Sequence, residues 1–390
     1  MGRHQVPQGD RLCGGTSEPL PLHTLAIRGI GPTMNWMEER LSRLQRWEGY
    51  QHSVESREGV QSKLDANENW HLPRAEIREA LSTSAEHLDP RSYPDLADTN
   101  LAKEVSAQIG VPSESVIPCA GADQAIDLIC QAFLGPGDNA VIVSPTFSMY
   151  RLRAIIAGAE CACVQMLPDL GLPVAEILRR GGPGGVAFIC SPNNPTGNQF
   201  NRADVEQVLD SFQGLVVLDE AYVEFASYSL SRRVRQRRNL AVLRTFSKAY
   251  GMAGLRLGYI VANEEWAPEF LAKVQYPYPV SGVAVAMAIA MLKDRSRIEQ
   301  WVGKVRNERV WLTRRLRAIP GIVVVDSEAN FLMASLPVDS GEVHKRLLAA
   351  GVSTRKLGDV LDFPNCLRIT VGTRRMNKQL LEELRGIVAK

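Results

Sequence analysis

The chain lacks the features that would commit it to a membrane, to nucleic acid or to a structural metal. Its longest apolar run, Val283 to Leu292, is too short to span a bilayer and reads as a buried helix. The N-terminus shows no apolar signal core. Lys and Arg number 45 against 43 Asp and Glu, so there is no surplus charge to draw the chain to nucleic acid or a membrane surface. The seven cysteines are scattered, odd in number and without a C-x-x-C pair. That argues for a reducing compartment, here the cytoplasm, and against a disulfide framework or structural zinc. The six histidines fall at no metal-ligand spacing, and neither internal repeats nor a low-complexity tract occur.

What is present is the composition of an ordinary soluble enzyme: 390 residues, 45% hydrophobic, enough for two or three domains. Residues 1–33 are rich in Gly, Pro and His without periodicity and are expected to be a disordered extension. Met34 opens a more convincing folded start. The basic run Arg232, Arg233, Arg235, Arg237 and Arg238 is expected to be a solvated face.

Periodicity gives an α/β chain. Ala122, Ala125, Ile126, Ile129, Cys130 and Phe133 lie on one helix face. Short apolar runs at 140–143, 186–190, 215–218, 240–243 and 257–261 read as strands. Helices near 147–157 and 202–212 lie among them. Strands alternating with helices make a mostly parallel sheet covered on both faces, with ligands at the strands' carboxyl ends. A long amphipathic helix from about 297 to 318 leads into strands near 321–325, 330–335 and 367–371 and helices near 340–350 and 376–389, a small α+β unit. Gly351 sits where a helix C-cap is expected.

Four short stretches carry chemistry. Gly121-Ala122-Asp123 opens a helix whose unpaired N–H groups suit a phosphate. The rigid turn Ser191-Pro192-Asn193-Asn194-Pro195-Thr196-Gly197 can aim the Asn194 amide at a ligand oxygen. Asp219 closes an apolar strand and can hold a pyridine nitrogen protonated, with Tyr222 near a phenolic oxygen. Lys248, in Thr245-Phe246-Ser247-Lys248, can form a Schiff base, with hydroxyls and Arg256 to hold a phosphate. Taken singly, each has a plain alternative: a helix cap, an Asx turn, a surface lysine in a Gly-rich turn.

Together, in this order and spacing, they resemble the fold-type-I pyridoxal-phosphate enzymes, specifically the class I/II aminotransferases, from about Leu64 to the C-terminus. The resemblance implies a large domain with a mostly parallel seven-stranded sheet (residues 91–295), a small C-terminal domain (296–390), and an N-terminal arm with part of the small domain (34–90). It implies pyridoxal 5′-phosphate as cofactor. Lys248 would be the Schiff-base lysine and proton shuttle, and Asp219 the partner of the ring nitrogen. Asn194 and Tyr222 would hold the phenolic oxygen. Ala122, Asp123, Ser247 and Arg256 would hold the phosphate, with Thr245 nearby. Phe147 would stack on the ring, and Arg368 would clamp the substrate carboxylate.

Further segments are similar to one branch, the histidinol-phosphate aminotransferases: Asp65-Ala66-Asn67-Glu68-Asn69, Ser92-Tyr93-Pro94-Asp95, Asp219 to Phe225, and Tyr276 to Ser281. That resemblance implies a homodimer in which Tyr93 reaches the neighbouring subunit's phosphate. It places Tyr50, Asn67 and Arg355 at the substrate, with Tyr50 and Arg355 on its phosphate. Taken by itself, Arg355 also fits a solvated edge-strand residue. The chain departs from the branch in having Trp70 and Gly49 where prolines are usual, and Phe147 for the usual tyrosine. The rival readings are an aromatic or broad-specificity aminotransferase, a threonine-phosphate decarboxylase-like lyase, and a non-catalytic regulator. The last needs a DNA-binding module that the N-terminal segment is too short and aperiodic to supply.

Overall fold

The computed structural model describes residues 35–45, 47, 49, 58–86, 88–94 and 100–388. They fall into two compact units, Met1–Glu48 and Gly49–Lys390. The described element of the first is a helix, Asn35–Gln45, on which Trp36, Met37, Leu41 and Leu44 are exposed.

The second unit is built on a seven-stranded sheet. Its strands are β1 (Val116–Cys119), β2 (Asn139–Ser144), β3 (Glu160–Gln165), β4 (Val186–Cys190), β5 (Leu215–Asp219), β6 (Leu240–Thr245) and β7 (Gly258–Ala262). The order across the sheet is β1-β7-β6-β5-β4-β2-β3. Strands β3, β2, β4, β5 and β6 run parallel, and β7 is antiparallel to both its neighbours. The interior strands are buried on both sides, which is why they read as unbroken apolar runs rather than alternating ones. In β5, Val216 and Leu218 pack into one apolar layer and Val217 into the other, the period of two that a pleated strand imposes. Each such fully buried side chain contributes roughly 1.5–3 kcal/mol. One layer is closed by the helix Gly121–Phe133 through Ala125, Ile126 and Ile129, the other in part by Arg202–Ser211 through Val205, Val208 and Leu209.

A second, antiparallel sheet follows: β8 (Val323–Val324), β9 (Phe331–Ser335), β10 (Arg355–Val360) and β11 (Phe363–Thr370), in the order β10-β11-β9-β8. The 23-residue helix Arg295–Arg317 leads into it. Helices Ser340–Ala349 and Arg374–Val388 pack with it. Gly351, at φ 78°, takes the left-handed conformation that ends the first of these. The segment after Ser62–Lys63, which pairs with Val352–Ser353, runs beside β11: Thr370 N–H donates to Leu64 O at 2.9 Å.

The basic run is spent on local pairing. Arg232 donates to Ile109 O, and Arg233, Arg237 and Arg238 pair with Glu206, Asp210 and Glu265. Among the described residues no cysteine is in a disulfide, no cluster of His, Cys, Asp or Glu suits a metal, and no helix is long and apolar enough to cross a membrane.

Candidate active site

A cavity of about 600 Å³ opens at the carboxyl ends of β4, β5 and β6. Of the residues expected at a site, Asn67, Ala122, Asp123, Phe147, Asn194, Asp219, Tyr222, Thr245, Ser247, Lys248, Arg256, Arg355 and Arg368 all line it. Tyr93 does not. It is 75% exposed and stacks on Tyr278 at 4.3 Å. Tyr50 and residues 1–33 lie outside the described residues.

The strand ends place the side chains. Register sets Cys190 of β4 opposite Asp219 of β5. Beyond Cys190, Asn193 knots the turn: its side chain donates to Pro145 O and Thr196 Oγ1, accepts from Thr146, and leaves Asn194 to the cavity. Asp219 is 4% exposed. Its Oδ1 accepts from Ala221 N–H at 2.9 Å and its Oδ2 from the Tyr150 hydroxyl at 2.5 Å. Burial pushes its carboxyl up to about 6, opposed by those two donors. Beyond β6, Thr245 shapes the loop, its hydroxyl accepting Ser247 N–H and donating to Leu257 O.

Lys248 Nζ donates to Ala66 O at 3.0 Å. Burial, then the positive charge of Arg368, lowers its amine to about 8. Tyr222, 5% exposed, accepts from Asn67 Nδ2 at 3.1 Å, and burial raises its phenol. Asn67 itself is 1% exposed at φ 55°, a left-handed conformation that asparagine tolerates better than most residues.

At another part of the cavity the helix Gly121–Phe133 begins. Arg256 lies against it, pairing with Asp123 Oδ2 at 2.8 Å. A Cβ on Gly121 would stand 2.8 Å from Arg256 Nη2, so only glycine, here at φ 78°, lets the guanidinium come so near. First-turn N–H groups, the Ser247 hydroxyl and a guanidinium are a donor set for a phosphate.

The second sheet supplies two arginines. Arg355 of β10 and Arg368 of β11 are register partners on antiparallel strands. Arg368 Nη1 donates to Asn194 Oδ1 at 2.6 Å and Nη2 to Asp65 O at 2.6 Å, and its guanidinium lies 5.5 Å from the centre of the Phe331 ring. Like charges directly opposite repel, so the pair suits an anionic ligand.

A phosphate cradle, a buried carboxylate, an amine lowered toward neutrality and an arginine pair in one cavity match what a phosphorylated pyridine aldehyde and an anionic substrate need. Two residues at the cavity escaped the motif reading. Tyr150 sits one helical turn past Phe147 and passes in sequence for a core residue. The Ala66 carbonyl, which holds Lys248, has no side-chain signal.

The family profile described as "Aminotransferase class I and II" matches residues 60–384. A histidinol-phosphate aminotransferase of Roseiflexus castenholzii is 38% identical over 337 residues, covering 83% of this chain and 89% of that one. One of Caldanaerobacter subterraneus subsp. tengcongensis is 34% identical over 331 residues, covering 84% and 93%. The crystal structure of histidinol-phosphate aminotransferase from Sinorhizobium meliloti in complex with pyridoxal-5′-phosphate shares the fold. Its TM-score is 0.77 at 24% identity, over 85% of this chain and 91% of that one. The chain belongs to the class I and II aminotransferases.

Proposed function

We propose that this enzyme uses pyridoxal 5′-phosphate to interconvert L-histidinol phosphate and 2-oxoglutarate with imidazole acetol phosphate and L-glutamate, a step of histidine biosynthesis. The observation that carries the substrate choice is Arg355 standing opposite Arg368 in the cavity that also holds Lys248. Two guanidiniums side by side suit a phosphoester dianion in one half-reaction and carboxylates in the other. Both relatives are named histidinol-phosphate aminotransferase, which supports the reading.

The bound cofactor supplies an electron sink for the charge left at the substrate Cα. The chain's residues do the rest. Lys248 would hold the cofactor through Nζ at rest, and the same Nζ, its amine lowered to about 8, is suited to take the proton from the substrate Cα. Asp219 would hold a proton on the ring nitrogen. Asn194 and Tyr222 would hold the phenolic oxygen, with Asn67 donating to the Tyr222 hydroxyl. Ala122, Asp123, Ser247 and Arg256 would hold the phosphate around a loop shaped by Thr245, and Phe147 would cover the ring face.

In this reading residues 91–295 carry the cofactor, while 34–90 and 296–390 bring Tyr50, Asn67, Arg355 and Arg368 to the substrate. The enzyme works as a cytoplasmic homodimer in which Tyr93 of each copy reaches the other's phosphate. Steady-state assay with 2-oxoglutarate tests the proposal: L-histidinol phosphate should yield glutamate faster than any unphosphorylated donor. Turnover with phenylalanine alone would keep the chemistry and discard the substrate.

A further inference from the structure

Tyr150 is the best-placed side chain that no motif assigns. It is fully buried at the second residue of the helix Met149–Ala157. Its ring stacks on Phe188 (centroids 5.2 Å, interplanar 14°) and meets Phe147 edge-on (5.7 Å, 83°). Those contacts leave the phenol little freedom, and its hydroxyl donates to Asp219 Oδ2 at 2.5 Å. With Ala221 N–H on Oδ1, each carboxylate oxygen carries one donor.

Burial and two neighbouring carboxylates disfavour an anion at Asp219. Burial raises its carboxyl, and Asp123 on the helix Gly121–Phe133 and Glu220 next in the chain raise it further. Cys190, its register partner on β4, and Tyr222, three residues on, are both held neutral by burial. Lys248 and Arg368 line the same cavity. Burial also keeps the Tyr150 phenol well above its ordinary value, so it remains a donor. A hydrogen bond to a charged group is roughly twice as strong as one between neutral groups, enough to decide the state of such a carboxylate.

We propose that Tyr150 is a positioning residue whose hydroxyl orients Asp219 and holds it as an anion, so that it pairs with a protonated pyridine nitrogen. The inference rests on the assignment of Asp219 to that nitrogen. The competing account is a core tyrosine whose buried hydroxyl merely takes the nearest acceptor. The two differ in one respect: a core role is indifferent to what the cofactor ring offers Asp219.

The experiment measures dissociation constants of the cofactor-free protein for pyridoxal phosphate and for its carbon analogue, in which the ring nitrogen is replaced by C–H. Wild type should prefer pyridoxal phosphate. Tyr150→Phe keeps both ring contacts and should lower that preference by about tenfold, with affinity for the analogue unchanged. Equal weakening for both ligands, or no change in either, would overturn the proposal. Asp219→Asn separates the two levels of the argument. If it leaves the wild-type preference intact, the assignment of Asp219 itself fails. If it abolishes the preference while Tyr150→Phe does not, only the role of Tyr150 falls.

Discussion

The two walls of the cavity are made by different means. One is the row of strand ends of β4, β5 and β6, where Asp219 closes a buried strand and Asn194, Tyr222 and Lys248 each follow one within a few residues. There, chemistry sits in side chains anchored to a close-packed sheet. The other wall joins the segment Asp65–Glu68 to β10 and β11 across some 300 residues of chain: Asn67 N–H donates to Thr370 Oγ1, and Arg368 to Asp65 O, pairs 303 apart. Here backbone carbonyls do the positioning. Asp65 O holds Arg368, Ala66 O holds Lys248, and Asn67 O accepts from Asn330. A carbonyl orients a cation without adding a full counter-charge. In our reading the sheet sets the reaction and a distant backbone segment sets the choice of anion.

The sharpest way to break that contrast is at the strand ends. Lys248→Ala should cut transamination by about 10⁴-fold or more; sustained turnover by this variant would end the assignment. Next comes the buried support of the same wall. Arg244 of β6 pairs with Glu220 at 2.9 Å and Glu224 at 2.8 Å, tying the end of β6 to the segment just past Asp219. Arg244→Met strands two buried carboxylates and should cost about 3–5 kcal/mol in urea unfolding. A loss below about 1 kcal/mol would show that the ties between strand ends are dispensable.

The substrate wall should respond differently. In the donor half-reaction, Arg355→Ala should raise the half-saturating concentration of L-histidinol phosphate by about 10- to 100-fold while leaving the half-reaction with phenylalanine unchanged. Equal effects on both donors would erase the division between the walls. A smaller effect joins them at Lys248, whose amine is lowered to about 8. The neutral amine is the nucleophile, and its fraction grows as pH rises through that value. Cofactor-free protein should therefore capture pyridoxal phosphate about tenfold faster at pH 9 than at pH 7; a rise confined to pH above about 10 would contradict the buried setting. Least of all, Asn67→Ala should cost about 1 kcal/mol in thermal or urea unfolding, from the lost amide on Tyr222 and a left-handed backbone that alanine dislikes.

The same contrast explains what the sequence discloses. Strands β4, β5 and β6 are legible because burial on both sides makes them continuous apolar runs, and their functional residues follow at once. Strand β1 is not, because Pro118 sits within it; it is tolerated on the sheet's edge, where one side of the ladder needs no donor. Strand β10 hides behind Gly358 at φ 76° and irregular pairing with β11. Tyr150 reads as core because its partner Asp219 is 69 residues away. The carbonyls of Asp65 and Ala66 carry no residue-type signal at all. Asn67 is visible as part of a motif, but only the fold shows its amide on the Tyr222 hydroxyl.

The measurement that bears most directly on the account is a single-turnover half-reaction. Cofactor-loaded enzyme is mixed with L-histidinol phosphate or with phenylalanine, and loss of the absorbance of the lysine-bound cofactor is followed. The account predicts rapid conversion with L-histidinol phosphate, much faster than with phenylalanine, and loss of that advantage in Arg355→Ala. Ready conversion with phenylalanine and none with L-histidinol phosphate would contradict it.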